Sequence, residues 1–247
     1  MEVFWELHKD LNREGPGNEA STLRALALAR DLPDKARVLD LGCGPGAQSI
    51  TLARAIRGSV TAIDLHEPFL AQLEKLAEEE GLSAYILARK GDMAALGFEP
   101  GSFDLIWSEG AIYNMGFEHG LDEWRRYLKP GGYIAVSELC WLRDDPPEEL
   151  AAFWAMDYPA MKDKAANLAI IARLGYELAG HFTLPEECWR DEYYGPLGRR
   201  IQMLRSSYAH DAESTGILDL CQKEIDLYER YSAYYGYEFF VIKMLAP

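Results

Sequence analysis

Cysteine is scarce in this chain: four residues in 247, at positions 43, 140, 188 and 221, with no C-x-x-C pair. That spacing gives no zinc knuckle and no disulfide framework. It fits a reducing compartment, so a cytoplasmic location and no metal site are the expectation. Basic charge is also short. Lys and Arg number 25 against 40 Asp and Glu, for a net charge of −15, and acid outweighs base in both halves of the chain. No stretch forms a basic footprint, which speaks against a nucleic-acid partner and against an anionic membrane surface. The acidity reads as solubility. Nowhere do about 18 apolar residues run together, as a membrane-crossing helix requires. Met1 to Glu6 lack the basic and apolar regions of a signal peptide. Repeats and low-complexity segments are missing too. What remains is a chain of ordinary globular composition, 49% hydrophobic and 26% charged. Its length suits one α/β domain with an insertion, or at most two small domains.

The most informative run is Val38-Leu39-Asp40-Leu41-Gly42-Cys43-Gly44-Pro45-Gly46. Apolar residues around an acid read as the end of a buried strand. Three glycines at alternate positions let the backbone bend sharply and lie against a ligand, where a Cβ would collide with it. From Ala47 to Arg57, apolar residues at 50, 52, 53 and 56 follow helical spacing. Strand, glycine turn and helix make the nucleotide-binding corner of an open α/β sheet.

The rest of the chain continues the alternation. Residues 3–13 and 18–30 predict helices, the second capped by Asn18. Strands are expected at 37–41, 59–65, 85–88, 103–108 and 133–139. Helices are expected at 47–57 (ended by Gly58), from Pro68 to Gly81, and around 117–128. This pattern is that of a doubly wound parallel sheet. It changes after Leu139: residues 147–174 and 196–232 read as helical, and 176–184 and 237–245 as strands.

Two nucleotides fit the corner. By letter, Gly42 to Ala47 satisfies G-x-G-x-x-G/A, and Asp64 stands about 20 residues on, where a ribose-binding acid belongs. A nicotinamide-dependent oxidoreductase is therefore one reading. Three features favour another. Asp40 puts a carboxylate beside the ligand, which would repel a pyrophosphate and welcome a cationic amino-acid group. Asp92 and Met93 can offer a polar contact and an apolar surface to an adenine ring. The two closing strands follow all five parallel ones, unlike two dinucleotide-binding halves.

Taken in order, Val38 to Gly46, Ala62-Ile63-Asp64, Gly91-Asp92-Met93, Phe103-Asp104-Leu105-Ile106 and Leu128-Lys129-Pro130-Gly131-Gly132 resemble the class I S-adenosylmethionine-dependent methyltransferases. Within that family they are similar to the ubiquinone/menaquinone C-methyltransferase branch. Ser108-Glu109-Gly110-Ala111-Ile112-Tyr113-Asn114 further resembles a subgroup without an assigned substrate. The resemblance covers residues 36–140. It implies a Rossmann-like, doubly wound seven-stranded α/β sheet whose last strand, 237–245, runs antiparallel beside 176–184. It implies S-adenosyl-L-methionine as cofactor and S-adenosyl-L-homocysteine as product. One methyltransferase domain would span 1–247, with a helical cap at 1–35 and an acceptor side formed by 141–247.

The same resemblance assigns cofactor roles. Gly42 and Gly44, with Cys43 between them, would meet the methionine part, and Asp40 its ammonium. Asp64 would accept from both ribose hydroxyls, Leu65 would cover an adenine face, Asp92 would take the adenine amine and Met93 would pack on the ring. Ser108 would offer its carbonyl to the methionine amine, and Gln48 would reach the carboxylate.

Methyl transfer from a sulfonium is an in-line displacement whose leaving sulfide needs no proton. The enzyme's main task is alignment in a site closed to water. The acceptor is therefore less legible than the donor. Candidate catalytic residues follow the fourth strand: Glu109 as a base or substrate-amine anchor, Tyr113, and His119, with Asn114 beside them. Each has a plainer reading as a cap, a packing residue or a solvated histidine. C-terminal aromatics, among them Trp189, Tyr193 and Tyr194, can line a hydrophobic or cationic pocket or simply fill core. The segments 189–196 and 12–18 are expected to act as lids. The reading is a methyltransferase for a small-molecule acceptor, monomeric or homodimeric. A non-catalytic module that binds the same cofactor is the remaining alternative. Nucleic-acid substrates are disfavoured by charge and by the lack of an Asn/Asp-Pro-Pro-Tyr/Phe motif after the fourth strand.

Overall fold

A computed structural model describes residues 2–245 of the chain. Two helices, α1 (Glu2–His8) and α2 (Glu19–Leu28), lead into β1 (Arg37–Leu41). Asn18 caps α2: its side chain accepts the Ser21 N–H at 2.8 Å, satisfying a donor that every helix start leaves open. Then come α3 (Ala47–Ile56), β2 (Ser59–Asp64), α4 (Glu67–Glu79), β3 (Ile86–Lys90), β4 (Phe103–Glu109), α5 (Phe117–Trp124) and β5 (Leu128–Trp141). The C-terminal part holds α6 (Glu148–Asp157), β6 (Lys162–Asp163), α7 (Lys164–Arg173), β7 (Tyr176–Thr183), α8 (Glu186–Trp189), α9 (Gly195–Arg205), α10 (Ala212–Tyr231) and β8 (Tyr235–Met244).

The sheet runs in the order β3-β2-β1-β4-β5-β8-β7, with the two-residue β6 beside β5. Strands β1 to β5 pair in parallel. Strand β8 is antiparallel to both β5 and β7. The Rossmann-like sheet with a reversed last strand is thus present, and β6 is the one addition. Strand order reverses between β1 and β4, where ligands of open α/β sheets collect.

Both faces are covered, so the central strands are apolar on both sides. On β5, Tyr133, Ala135 and Leu139 pack into one core with α2, α9 and α10, while Ile134, Val136 and Cys140 pack into the other with α5 and α7. Strand β8 splits the same way: Phe239 and Val241 to one side, Phe240 and Ile242 to the other.

Several boundaries move. The first helix stops at His8 rather than continuing to residue 13. Strand β5 begins five residues before Tyr133, because the Lys129–Gly132 turn stays in the ladder beside β4 through an irregularity in register. The expected helical stretch 147–174 is two helices, split where Lys162 and Asp163 pair with Cys140 and Trp141. Helix α3 ends on Arg57 at φ +53, not on Gly58. Gly58 is required for a different reason, since a Cβ there would sit 2.0 Å from the Ala36 carbonyl oxygen. No helix among the described residues is long and apolar enough to cross a membrane.

Candidate active site

At the end of β1 the chain bends through Gly42 (φ +70), Gly44 (φ +52) and Gly46 (φ +92). L-residues with side chains rarely adopt these angles. Space is closed as well: a Cβ on Gly42 would lie 2.4 Å from the Ala111 Cβ, and one on Gly46 2.3 Å from Leu73 Cδ1. The N–H groups of Gly42 and Cys43 donate to the Ile63 carbonyl at 2.9 and 3.0 Å. The Gly44 N–H donates to Asp64 Oδ2 at 2.9 Å, and the His66 N–H to Asp64 Oδ1 at 2.9 Å. One carboxylate at the tip of β2 therefore braces the glycine turn, and both its oxygens retain acceptor capacity.

Above this edge lies a cavity of about 970 Å³, at the upper end of the usual range for small-molecule sites. One end is lined by Gly42, Cys43, Gly44, Asp64, Leu65, Asp92 and Met93. The other end is aromatic, with Tyr113, Trp154, Tyr158, Trp189, Tyr193 and Tyr237. Leu65, an apolar side chain, is 63% exposed at the first end, and Asp92 Oδ1 accepts the Ala94 N–H at 2.8 Å. Residues of the N-terminal part line the same cavity: Trp5 stacks on His66 with ring centroids 3.8 Å apart, and Arg13, Glu14, Gly15 and Pro16 are part of the wall.

This donor set suits an adenosyl cofactor. A braced carboxylate with spare lone pairs can take two ribose hydroxyls, and an exposed leucine and a methionine in the same lining offer apolar surface to a flat ring. Gln48 lines the same end, with its Nε2 donating to the Cys43 carbonyl at 3.0 Å. Cys43 lends its backbone only. Its side chain packs among Ile50, Ala62 and Leu70, and burial pushes the thiol well above its ordinary range.

Asp40 and Ser108 do not line the cavity. Asp40 is fully buried behind the turn: Oδ2 accepts the Ser49 hydroxyl at 2.5 Å and Oδ1 has no partner. Burial raises its pKa to about 7 against the opposing pull of Ser49. The expected direct contact with an ammonium is thus replaced by a position one layer back. Ser108 is buried too, its hydroxyl donating to the Leu41 carbonyl at 2.9 Å, so it ties β4 to β1.

Among the acceptor-side candidates, Glu109 lines the cavity with its carboxylate already engaged. Oε1 accepts from the Thr22 hydroxyl at 2.7 Å and the Trp107 indole at 3.0 Å, and Oε2 from Arg13 at 2.8 Å. With both oxygens so engaged, the residue fastens the 12–18 loop and α2 to β4. It does not cap the turn at Ala111. Tyr113 lines the cavity beside Tyr158, ring centroids 5.9 Å apart. Asn114 lines it too, with Nδ2 donating to the Ala111 carbonyl at 3.0 Å. His119 is exposed on α5 and outside the cavity, because the helix turns its polar face to solvent after burying Phe117 and Gly120.

Sequence reasoning missed Trp5, Trp154, Asp157, Tyr158 and Glu224, all of which line the cavity. The one available signal was the dense Phe153-Trp154-Ala155-Met156-Asp157-Tyr158 run, read there only as part of a helix. Tyr158 donates to Glu138 Oε1 at 2.5 Å. Glu138 is 2% exposed, its Oε2 has no partner, and burial pushes it up to about 7.

The turn, its bracing acid and the seven-strand order define a nucleotide-binding α/β fold of the methyltransferase kind. A family model described as a methyltransferase domain matches residues 38–132. The malonyl-[acyl-carrier protein] O-methyltransferase of Salmonella typhimurium is 35% identical over 221 residues, 87% of this chain and 79% of its own. The Erwinia billingiae protein of the same name is 35% identical over 186 residues, 74% and 69% of the two chains. A solved Geobacter sulfurreducens SAM-dependent methyltransferase, in complex with S-adenosyl-L-homocysteine, superposes with a TM-score of 0.84 at 23% identity, covering 98% of this chain and 97% of that one. The chain belongs to the class I S-adenosylmethionine-dependent methyltransferases. It is an enzyme that uses S-adenosylmethionine to methylate an acceptor.

Proposed function

We propose that the methyl acceptor is a small molecule enclosed in the aromatic end of the cavity, and that Gly42, Cys43, Gly44, Gln48, Asp64, Leu65, Asp92 and Met93 hold the cofactor at the other end. The observation that carries this reading is the Asp64 brace on Gly44, which sets an acceptor-only carboxylate at the mouth of a glycine turn. Asp64 takes the ribose hydroxyls. Leu65 and Met93 sandwich the adenine, and Asp92 accepts its amine. When bound, the cofactor supplies a methyl group already activated on a sulfonium. The chain's own residues then have to position the acceptor and exclude water.

Asp40 and Ser108 act from behind as positioning residues, the first by accepting the Ser49 hydroxyl of α3 and the second by joining β1 to β4. Glu109 holds the covering loop through Arg13. Tyr113 is the acceptor-side candidate that lines the cavity beside the aromatic Tyr158. The walls leave space for a compact acceptor and offer no basic track for a polymer backbone.

The likeness to the ubiquinone/menaquinone branch and to the Ser108–Asn114 subgroup is carried by those motifs alone. The relatives reported above bear a malonyl O-methyltransferase name, so neither source supplies the acceptor. Calorimetric titration with S-adenosyl-L-homocysteine and with NADH tests the cofactor end. Binding of the first and not the second is expected; the reverse overturns the assignment.

A further inference from the structure

Resting on that reading, we infer that the acceptor is an amine that enters as a cation, held between aromatic rings and the Glu224 carboxylate of α10.

Charge balance around the cavity motivates this. Among the described residues Arg13 is the single arginine in its wall and no lysine lines it, and Arg13 is committed to Glu109 at 2.8 Å. His8 stands 2.5 Å from Glu14 through Nδ1, so that histidine is engaged as well. His66 lies beneath Trp5 at the adenine end. Among the described residues, Asp157 and Glu224 line the space with no ion pair, and His8 acts on Glu224 only through its field. A carboxylate or phosphate acceptor would meet two like charges and no free cation there, a costly arrangement in a poorly solvated cavity.

The walls point to the same ligand. Tyr113, Trp154, Tyr158, Tyr193 and Tyr237 present ring surface, the geometry that attracts ammonium groups. Tyr237 is 8% exposed, lines the cavity and donates to no protein acceptor among the described residues, so its hydroxyl is available to a ligand. Glu224 Oε1 already accepts the Tyr194 hydroxyl at 2.7 Å, which fixes the carboxylate and leaves Oε2 for a second donor. Burial raises the pKa of Glu224, with the nearby Asp157 charge adding to it. Such a group gains from a bound cation and can take a proton from it.

The step balances. The ammonium gives one proton to Glu224, and the freed nitrogen lone pair forms a bond to the methyl carbon. The carbon–sulfur pair leaves on sulfur as a neutral sulfide, and Glu224 passes its proton to water. The product is the methylated ammonium.

The test uses the full chain saturated with S-adenosyl-L-homocysteine and three probes of similar shape: phenethylamine, 2-phenylethanol and 3-phenylpropanoate. Fluorescence of the cavity tryptophans reports binding without turnover. Phenethylamine is expected to bind at least tenfold more tightly than the alcohol, with the carboxylate weakest. Glu224→Gln should abolish that preference and leave homocysteine-cofactor affinity within twofold. Equal or tighter binding of the alcohol or carboxylate overturns the inference, as does no amine binding or an undiminished preference in the variant. The wild-type comparison decides even if the variant fails to fold. Failure of S-adenosyl-L-homocysteine to bind wild type would instead strike the cofactor reading on which this one rests.

Discussion

The two ends of the cavity are built differently. The end proposed for the cofactor comes from the tips of three parallel strands: Gly42 to Gly44 follow β1, Asp64 with Leu65 ends β2, and Asp92 with Met93 follows β3. The acceptor end draws single residues from distant segments, among them Tyr113, Trp154, Tyr158, Trp189, Glu224 and Tyr237. At the first end backbone geometry and one bracing acid define the site. At the second, packing of helices against β5 and β8 defines it, so a small change in helix sequence can alter the acceptor and leave the donor untouched.

The largest expected effect probes the buried acids Asp40 and Glu138, which stand outside the cavity lining. Asp40 and Glu138 hold their protons to about 7 in the folded chain, whereas an unfolded carboxyl releases its proton near about 4. The folded state carries more protons between those values, so stability falls as pH rises from about 4 to about 7 and does not recover above. Asp40→Asn should stabilise the ligand-free protein at pH 8 by at most about 4 kcal/mol and change little at pH 4. Urea unfolding at both pH values reads this, and equal effects at the two would contradict the burial account.

Next in size is the clasp joining the ends. Arg13 and Glu109 are 7% and 5% exposed, and removing one partner of a buried pair costs about 3 kcal/mol or more. Arg13→Ala should lower the unfolding midpoint and loosen the 12–18 loop, visible as faster amide exchange there. An unshifted midpoint would mean that Glu109 is free for other work.

Asp64→Ala comes third. Loss of charge-assisted hydrogen bonds should weaken S-adenosyl-L-homocysteine binding at least tenfold, or about 1.4 kcal/mol. Unchanged affinity in a folded variant removes the ribose assignment. The smallest effect is His119→Ala: methylation should stay within twofold of wild type, since this side chain is exposed outside the cavity. A large loss there would put the acceptor on the wrong face of α5.

The contrast also explains what could be read in the sequence. The strands of the cofactor half and the Asn18 cap were legible because glycines, caps and apolar runs are local signals, whereas the antiparallel direction of β8 came from the family resemblance alone. Local signals also located Asp64 one strand tip away from Gly42, and Asp92 and Met93 two strand tips away. Asp40 was legible as an acid but not as a buried one. Its burial shows only in the packing of Ser49, nine residues on, against its carboxylate. Glu109 looked free because its partners, Arg13 and Thr22, are 96 and 87 residues away. Trp154, Tyr158 and Glu224 follow helical spacing that serves core and cavity alike, so nothing in their neighbours distinguishes the two. The Lys162–Asp163 strand was hidden for a related reason, since two residues carry no periodicity.

The most direct test is a crystal structure with S-adenosyl-L-homocysteine. The account places both ribose hydroxyls on Asp64, the adenine between Leu65 and Met93, and the sulfur directed toward Tyr113 and Tyr158. Adenosine lodged among Trp154, Trp189 and Tyr193, with Asp64 touching only protein, would contradict it.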